Sequence, residues 1–157
     1  MAYCTADEVI DMLKTGMIGY IIGADDEEFG DDYTPEMLRE AVRPLAENAV
    51  ADAQAEIDGY LAKRYDVPFT KTPGVISKFA KDIALYNLVS RKGVDESDRE
   101  KTYLTRYNAA IAFLTKVAEG KIDIGVDDVH TTQSAAQNGF SMKSENRMFS
   151  RSSMRGW

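Results

Sequence analysis

Hydrolytic or group-transfer chemistry needs a nucleophile, a base and a group that stabilises developing charge, and this sequence offers few side chains for those parts. His130 is its single histidine and Cys4 its single cysteine. His130 sits at the edge of a polar stretch, where nothing nearby in sequence would hold the imidazole of a Ser-His-Asp or Cys-His arrangement, and it reads as a solvated loop histidine. Cys4 reads as an inert thiol near a terminus, and one cysteine permits no internal disulfide. No His-x-x-x-His, Cys-x-x-Cys or Gly-x-x-x-x-Gly-Lys-[Ser/Thr] pattern occurs, so zinc and phosphate-loop chemistry have no support. The carboxylates Asp25, Asp26, Glu27, Glu28, Asp31 and Asp32, set around Gly23 and Gly30, offer oxygen ligands for a hard cation such as calcium. They lack the alternating Asp-x-Asp-x-Asp-Gly pattern and the distal Glu of an EF-hand loop. They read as a solvated acidic loop, or as counter-charge for a basic partner. No catalytic, cofactor-binding or metal-binding residue and no cofactor is expected.

The charge distribution says more than the chemistry. Residues 1–130 hold 15 Lys+Arg against 25 Asp+Glu, net −10, while residues 131–157 hold 4 against 1, net +3. The basic end also carries spaced apolar anchors, Met142, Met148, Phe149, Met154 and Trp157. A positive segment of this kind, joined to a negative body through a polar spacer, can dock on a neighbouring copy or on a partner. The overall charge of −7 and pI near 4.8 argue against duplex nucleic acid as the main partner of the body. No apolar run approaches a membrane span of roughly 20 residues, and the start lacks a basic region followed by an apolar stretch. A protein that is soluble, unexported and free of membrane is expected.

The pattern that must position these residues is helical. Thr5-Ala6-Asp7-Glu8 is a capping box that opens a short helix with Val9, Met12 and Leu13 on one side, and Gly16 or Gly19 is expected to stop it. Tyr20 to Tyr33 then reads as an exposed loop. Thr34-Pro35 starts a long central helix running to about Arg64, with Pro44 expected to kink or split it. Leu45, Ala49, Ala53, Ile57 and Leu61 form its core stripe, with Ala46, Val50 and Tyr60 beside it, and Gly59 suggests tight packing against a neighbour. Asp52, Glu56, Lys63 and Arg64 read as ordinary surface pairs. A helix over about Val75 to Ser90 carries Ile76, Phe79, Ala80, Ile83, Tyr86 and Leu88 on more than one stripe and should be the most buried. Ser97-Asp98-Arg99-Glu100 is a second capping box, opening a helix to about Glu119 with Leu104, Tyr107, Ile111, Leu114 and Ala118 on one face and Gly120 as its stop. Ile122 to Val126 alternates, as a short strand or as an extended strip laid over the bundle. The expected fold is mainly α: a compact bundle of about four helices with a long central helix, followed by an extended C-terminal tail. Residues 1–126 form the body, 127–139 a polar linker and 140–157 a basic, aromatic-containing tail.

The stretch Ala53 to Phe69, with Ile57-Asp58-Gly59-Tyr60-Leu61 followed by Arg64-Tyr65 and Pro68, resembles a family of Mu-like phage and prophage head-tail connector proteins. The opening Met1-Ala2-Tyr3-Cys4-Thr5, the segment Ile83-Ala84-Leu85-Tyr86-Asn87-Leu88 and the ending Asn146-Arg147-Met148-Phe149-Ser150-Arg151 agree with it. The resemblance implies a small helical adaptor, or head-completion, protein of the virion. Such a protein is assembled in the host cytoplasm and forms a ring between the portal and tail-side connector or terminator proteins. It implies no enzyme activity, and DNA that passes through the ring lumen without sequence-specific binding. It also implies a C-terminal segment that reaches the portal or an adjacent subunit, a role that falls here on Lys143, Arg147, Met148, Phe149, Arg151, Met154, Arg155 and Trp157. A competing reading from the acidic body is a regulatory binding protein, or DNA mimic, that blocks a nucleic-acid-binding partner.

Overall fold

The computed structural model describes residues 2–23, 34–93 and 98–126, the side chains of 98–100 excepted. Five helices lie among the described residues: α1 (Ala6–Ile10), α2 (Thr15–Ile22), α3 (Pro35–Leu61), α4 (Gly74–Ser90) and α5 (Asp98–Ala118). No strand occurs among them. The 27-residue α3 is central and packs against each of the other four.

The helix starts follow local chemistry. At α1 the Glu8 amide donates to Thr5 Oγ1 at 3.3 Å while the Thr5 amide donates to Glu8 Oε2 at 2.9 Å, so each residue satisfies a group the first turn leaves open. The Glu8 carboxylate is held below the usual range, first by that Thr5 amide and then by Lys81. Thr34 Oγ1 accepts from the Met37 amide at 3.4 Å, with Pro35 in the first turn of α3.

Four local expectations are corrected. The first helix stops at Ile10, before either Gly16 or Gly19. The chain runs through both as α2, where Met17, Ile18 and Ile21 are buried, and the stop falls at Gly23 with a left-handed φ of 79°. Burying two isoleucines and a methionine outweighs roughly 1 kcal/mol of unfavourable propensity at each glycine. Pro44 neither splits nor interrupts α3. Pro44 and Glu40 are both exposed, so water can take the Glu40 carbonyl that a proline nitrogen leaves unbonded. Gly59 is exposed, and a Cβ built on it would have nothing within 4 Å, so no neighbour packs tightly there. The buried line of α5 is Ala110, Leu114 and Val117. It is turned by about one residue from the expected face, leaving Leu104 and Ile111 half-buried, because small Ala110 permits the closest approach.

The core is continuous. Val42, Ala46, Ala53, Ile57 and Leu61 of α3 meet Ile76, Ile83 and Leu88 of α4, all fully buried, while Val9 and Ile10 of α1 close one end. Helix α4 is the more densely buried of the two long core helices, with eight buried positions in 17 residues against eight in 27 for α3. Tyr60, Phe79, Tyr86 and Tyr107 are half-buried at the edges, with Phe79 on Phe113 at 4.8 Å and Tyr86 stacked on Tyr107 at 4.5 Å between ring centroids. After Gly120, at φ +79°, residues 121–126 form no strand but a strip that bends at 121–122 and at 125–126, where Gly125 has φ +74°. Ile122, Ile124 and Val126 pack onto the core, and Lys121, Asp123 and Gly125 face outward.

Candidate functional site

The residues that carry the family resemblance converge at the C-terminal end of α3. Ile57 and Leu61 are fully buried, which turns Asp58 toward the N-terminal segment and Arg64 toward α5. The Tyr3 hydroxyl donates to the Asp58 carboxylate and accepts from the Phe69 amide at 3.4 Å. Burial, and after it the Asp58 hydrogen bond, raises the Tyr3 phenol well above its ordinary value. Tyr3 and Tyr65 flank Phe69, with centroids 5.8 and 6.0 Å away. The Tyr65 hydroxyl is buried without a hydrogen-bond partner.

Arg64 completes the cluster. Its Nη1 donates to the Val117 carbonyl at 2.8 Å and lies 3.5 Å from the Ile122 carbonyl. A cation at the last turn of α5 is favourable with respect to the helix dipole, and the guanidinium also stands 5.3 Å from the Tyr65 ring centroid. Because Gly120 turns left-handed directly beneath Arg64, with space for a Cβ only 3.5 Å from Nη1, the chain folds back as the 121–126 strip. The N-terminus, α3, the Tyr65–Phe69 turn, α5 and the strip are thus held in one clasp.

Two further polar groups tie helices together. Asp82 of α4, its side chain only 2% exposed, accepts from Arg106 of α5 and from Lys78 at 3.1 Å. The Tyr107 hydroxyl donates to Glu56 at 2.8 Å; burial, then that carboxylate, pushes its phenol up to about 12. These are braces between helices, with no nucleophile and base in hydrogen-bond reach. Cys4 is buried, and its thiol is pushed up to about 11 by burial and then by Glu8, the reverse of an activated nucleophile. A shallow groove of about 420 Å³ runs between the N-terminal segment and α3, past Cys4, Asp7, Arg43 and Glu47. Another of about 360 Å³ separates Asp66, Phe69 and Lys71 from Gly125 and Val126. No cluster of three His, Cys, Asp or Glu side chains suited to a metal occurs among the described residues, and no helix there is long and apolar enough to cross a membrane.

Of the residues singled out from sequence, the core set falls in this bundle as described above. The acidic run Asp25 to Asp32, His130 and the docking candidates Lys143, Arg147, Met148, Phe149, Arg151, Met154, Arg155 and Trp157 lie outside the described residues. Glu56 and Arg64 are not ordinary surface pairs. One caps a tyrosine of α5 and the other reaches a carbonyl 53 positions away. Asp82 had no sequence role beyond its place on α4; its one local signal is Lys78 four residues earlier.

Known proteins resemble this chain over most of its length. The family model described as Bacteriophage Mu, Gp36 matches residues 3–143, from the clasp tyrosine to beyond the strip. The Mu-like prophage FluMu protein gp36 of Haemophilus influenzae is 33% identical over 112 residues, 71% of this chain and 74% of that protein. Gene product J of Escherichia phage Mu is 31% identical over 107 residues, 68% of this chain and 72% of its own length. With its helical body and its clasp both inside the matched region, the chain belongs to the bacteriophage Mu Gp36 family.

Proposed function

We propose that this protein is a structural component of a tailed-phage virion, an adaptor that forms a ring between the portal and the tail and completes the head. The observation that carries the reading is the pairing of a braced acidic body with a basic, anchor-bearing C-terminal sequence. Membership of a Mu phage family supports the setting. In this account the body supplies the ring. Residues 140–157 bind the portal or an adjacent subunit, with Phe149 and Trp157 as buried anchors and Arg147, Arg151 and Arg155 as charge-assisted donors. The protein acts by assembly and carries out no catalysis.

The test is light scattering on size-exclusion peaks of the protein mixed with portal, using the full chain and a version ending at Gly139. The expected result is a portal complex with the full chain and none with the shortened one, both having the same helical content. Portal binding that survives removal of residues 140–157 would overturn the role of the segment. The outer face of α3, whose charges are all carboxylates, favours a second reading, a mimic of nucleic acid. That reading requires a salt-sensitive, stoichiometric complex with a DNA-binding protein and no affinity for portal.

A further inference from the structure

One wall of the groove beside Cys4 is a single stripe of α3, Glu47, Val50, Ala51 and Gln54, at i, i+3, i+4 and i+7. The facing wall is built from small residues of the N-terminal segment, Ala2 and Ala6 among them. The trough of about 420 Å³ left between them lies within the roughly 300–1,000 Å³ of sites that bury most of a ligand. Val50 and the alanines make it apolar. Glu47 and Gln54 bring a carboxylate and an amide to it, and neither has a side-chain partner among the described residues. Its other two charges, Asp7 and Arg43, hold each other at 2.9 Å, so Asp7, Arg43 and Glu47 together sum to −1.

The negative sign extends beyond the groove. Residues 2–23 and α3 hold nine carboxylates against Lys14, Arg39 and Arg43, net −6 with every ion-paired charge counted. Lys81 of α4, 3.5 Å from Glu8, lowers that only to −5. Residues 131–157 carry the opposite sign, four Lys+Arg against one Glu. Among them Trp157 follows Arg155 by two positions, and in an extended segment residues two apart share a side. An indole beside a guanidinium matches an apolar trough with a carboxylate on its stripe. The indole N–H needs an acceptor once buried, and the Gln54 amide oxygen supplies one.

The start of the C-terminal residues is near this groove. Val126, the last residue of the strip, lies across the second groove from Phe69, Phe69 packs on Tyr3 at 5.8 Å between centroids, and Ala2 and Cys4 on either side of Tyr3 line the first groove. The 31 residues 127–157 can reach up to about 100 Å when extended, several times a body about 35 Å across. A tether able to span two sites gives an effective concentration on the order of millimolar. A contact too weak to persist between separate molecules is then formed within one.

We propose that the basic C-terminal segment occupies this groove of its own chain, with Trp157 between α3 and the N-terminal segment, Arg155 on Glu47 and the indole N–H on Gln54. The contact stands without the adaptor reading. Where that reading holds, the groove covers the segment until the portal takes it, and only this handover rests on the reading.

Trp157 is the single tryptophan of the chain, so its fluorescence reports the segment alone. In the full chain at low salt its emission should be blue-shifted, and acrylamide should quench it at least about threefold less efficiently than in denaturant. Added salt should raise the quenching. Glu47→Lys or Arg155→Glu alone should remove most of the protection, and the two together should restore it, because the pair is again oppositely charged. Ala51→Arg, which fills the groove, should free the indole as well. Asp52→Lys, the same charge change at a position that does not line the groove, should leave the quenching as in wild type. Glu47, Ala51 and Asp52 are exposed on α3 and Lys and Arg are good helix formers, so circular dichroism should show no loss of helix. Emission should be the same from about 0.1 to 100 µM, as an intramolecular contact requires.

The proposal is overturned if wild-type Trp157 is quenched as in denaturant, if the groove variants leave it protected, or if the exchanged pair fails to restore protection. Protection that appears only as concentration rises would also overturn it, by giving the segment to a second copy. Portal binding, followed separately by light scattering, keeps the two claims apart. A protected Trp157 without portal binding would sink the adaptor reading and leave the contact standing; portal binding with Trp157 open in the free protein would do the reverse.

Discussion

Replacing Arg64 by alanine removes the side chain that holds three parts of the chain together, and the loss can be worked from the structure. The Nη1 bond to the Val117 carbonyl, at 2.8 Å, is charge-assisted, and such bonds contribute about 1.5–3 kcal/mol. The 5.3 Å cation–π contact with Tyr65 adds about 0.5–1 kcal/mol at a partly exposed site. The Ile122 contact, at 3.5 Å, is at the limit of a hydrogen bond and adds little. Because the guanidinium is half-buried and regains some hydration when the fold is lost, the lower part of the combined range applies, about 2–3 kcal/mol. With a urea dependence of about 1–3 kcal/mol per molar, that moves the unfolding midpoint down by about 0.7–3 M. Arg64→Lys keeps the charge without the planar fork and should recover about half of the loss. Hydrogen exchange should show the amides of residues 121–126 losing protection before those of α3 and α4. An Arg64→Ala protein within about 0.5 kcal/mol of wild type, or one whose strip keeps its protection, would refute the clasp.

Other consequences are as direct. Gly59→Ala should stabilise the protein by about 0.5–1 kcal/mol in the same urea titration, since the position is helical, exposed and open around the added methyl; destabilisation would mean a close neighbour on that face. Tyr107 has a raised folded-state pKa, so its contribution is complete below pH about 10, the unfolded value, and is lost as pH rises through about 12. Tyr107→Phe should flatten that alkaline loss, and absorbance at about 295 nm should show one fewer late-titrating phenol. Cys4, buried and pushed up to about 11, should react with a disulfide reagent at pH 8 at least about a hundredfold more slowly than a free thiol and normally in denaturant; fast native reaction would place the N-terminal segment away from α3.

What was legible in the sequence was local. Thr5 with Glu8, and Thr34 with Pro35, announce their helices because the capping groups lie within four residues of one another. Gly120 ends α5 because a left-handed turn favours glycine. Helix α2 was hidden because Gly16 and Gly19 oppose it locally, while what sustains it, burial of Ile18 and Ile21 against α3, is tertiary. The same limit hid the clasp. The motif around Ile57 to Tyr65 marked the right place, but the span from Arg64 to Val117 and that from Tyr3 to Asp58 leave no trace in helical spacing. Nothing in helical spacing marked Asp82, and only the packing of α4 against α5 turns it inward toward Arg106. The docking role of residues from Lys143 to Trp157 is what the family resemblance implies, in agreement with the charge and anchor spacing of the C-terminal segment, and it enters as part of the proposed function.

The most direct test of the adaptor claim is electron cryo-microscopy of virions or of filled heads incubated with this protein carrying a gold-labelled N-terminus. The account predicts a ring of label at the portal vertex, between portal and tail, with density from each copy reaching the portal. Label spread over the capsid, carried along the tail tube or missing from the particle altogether would contradict it.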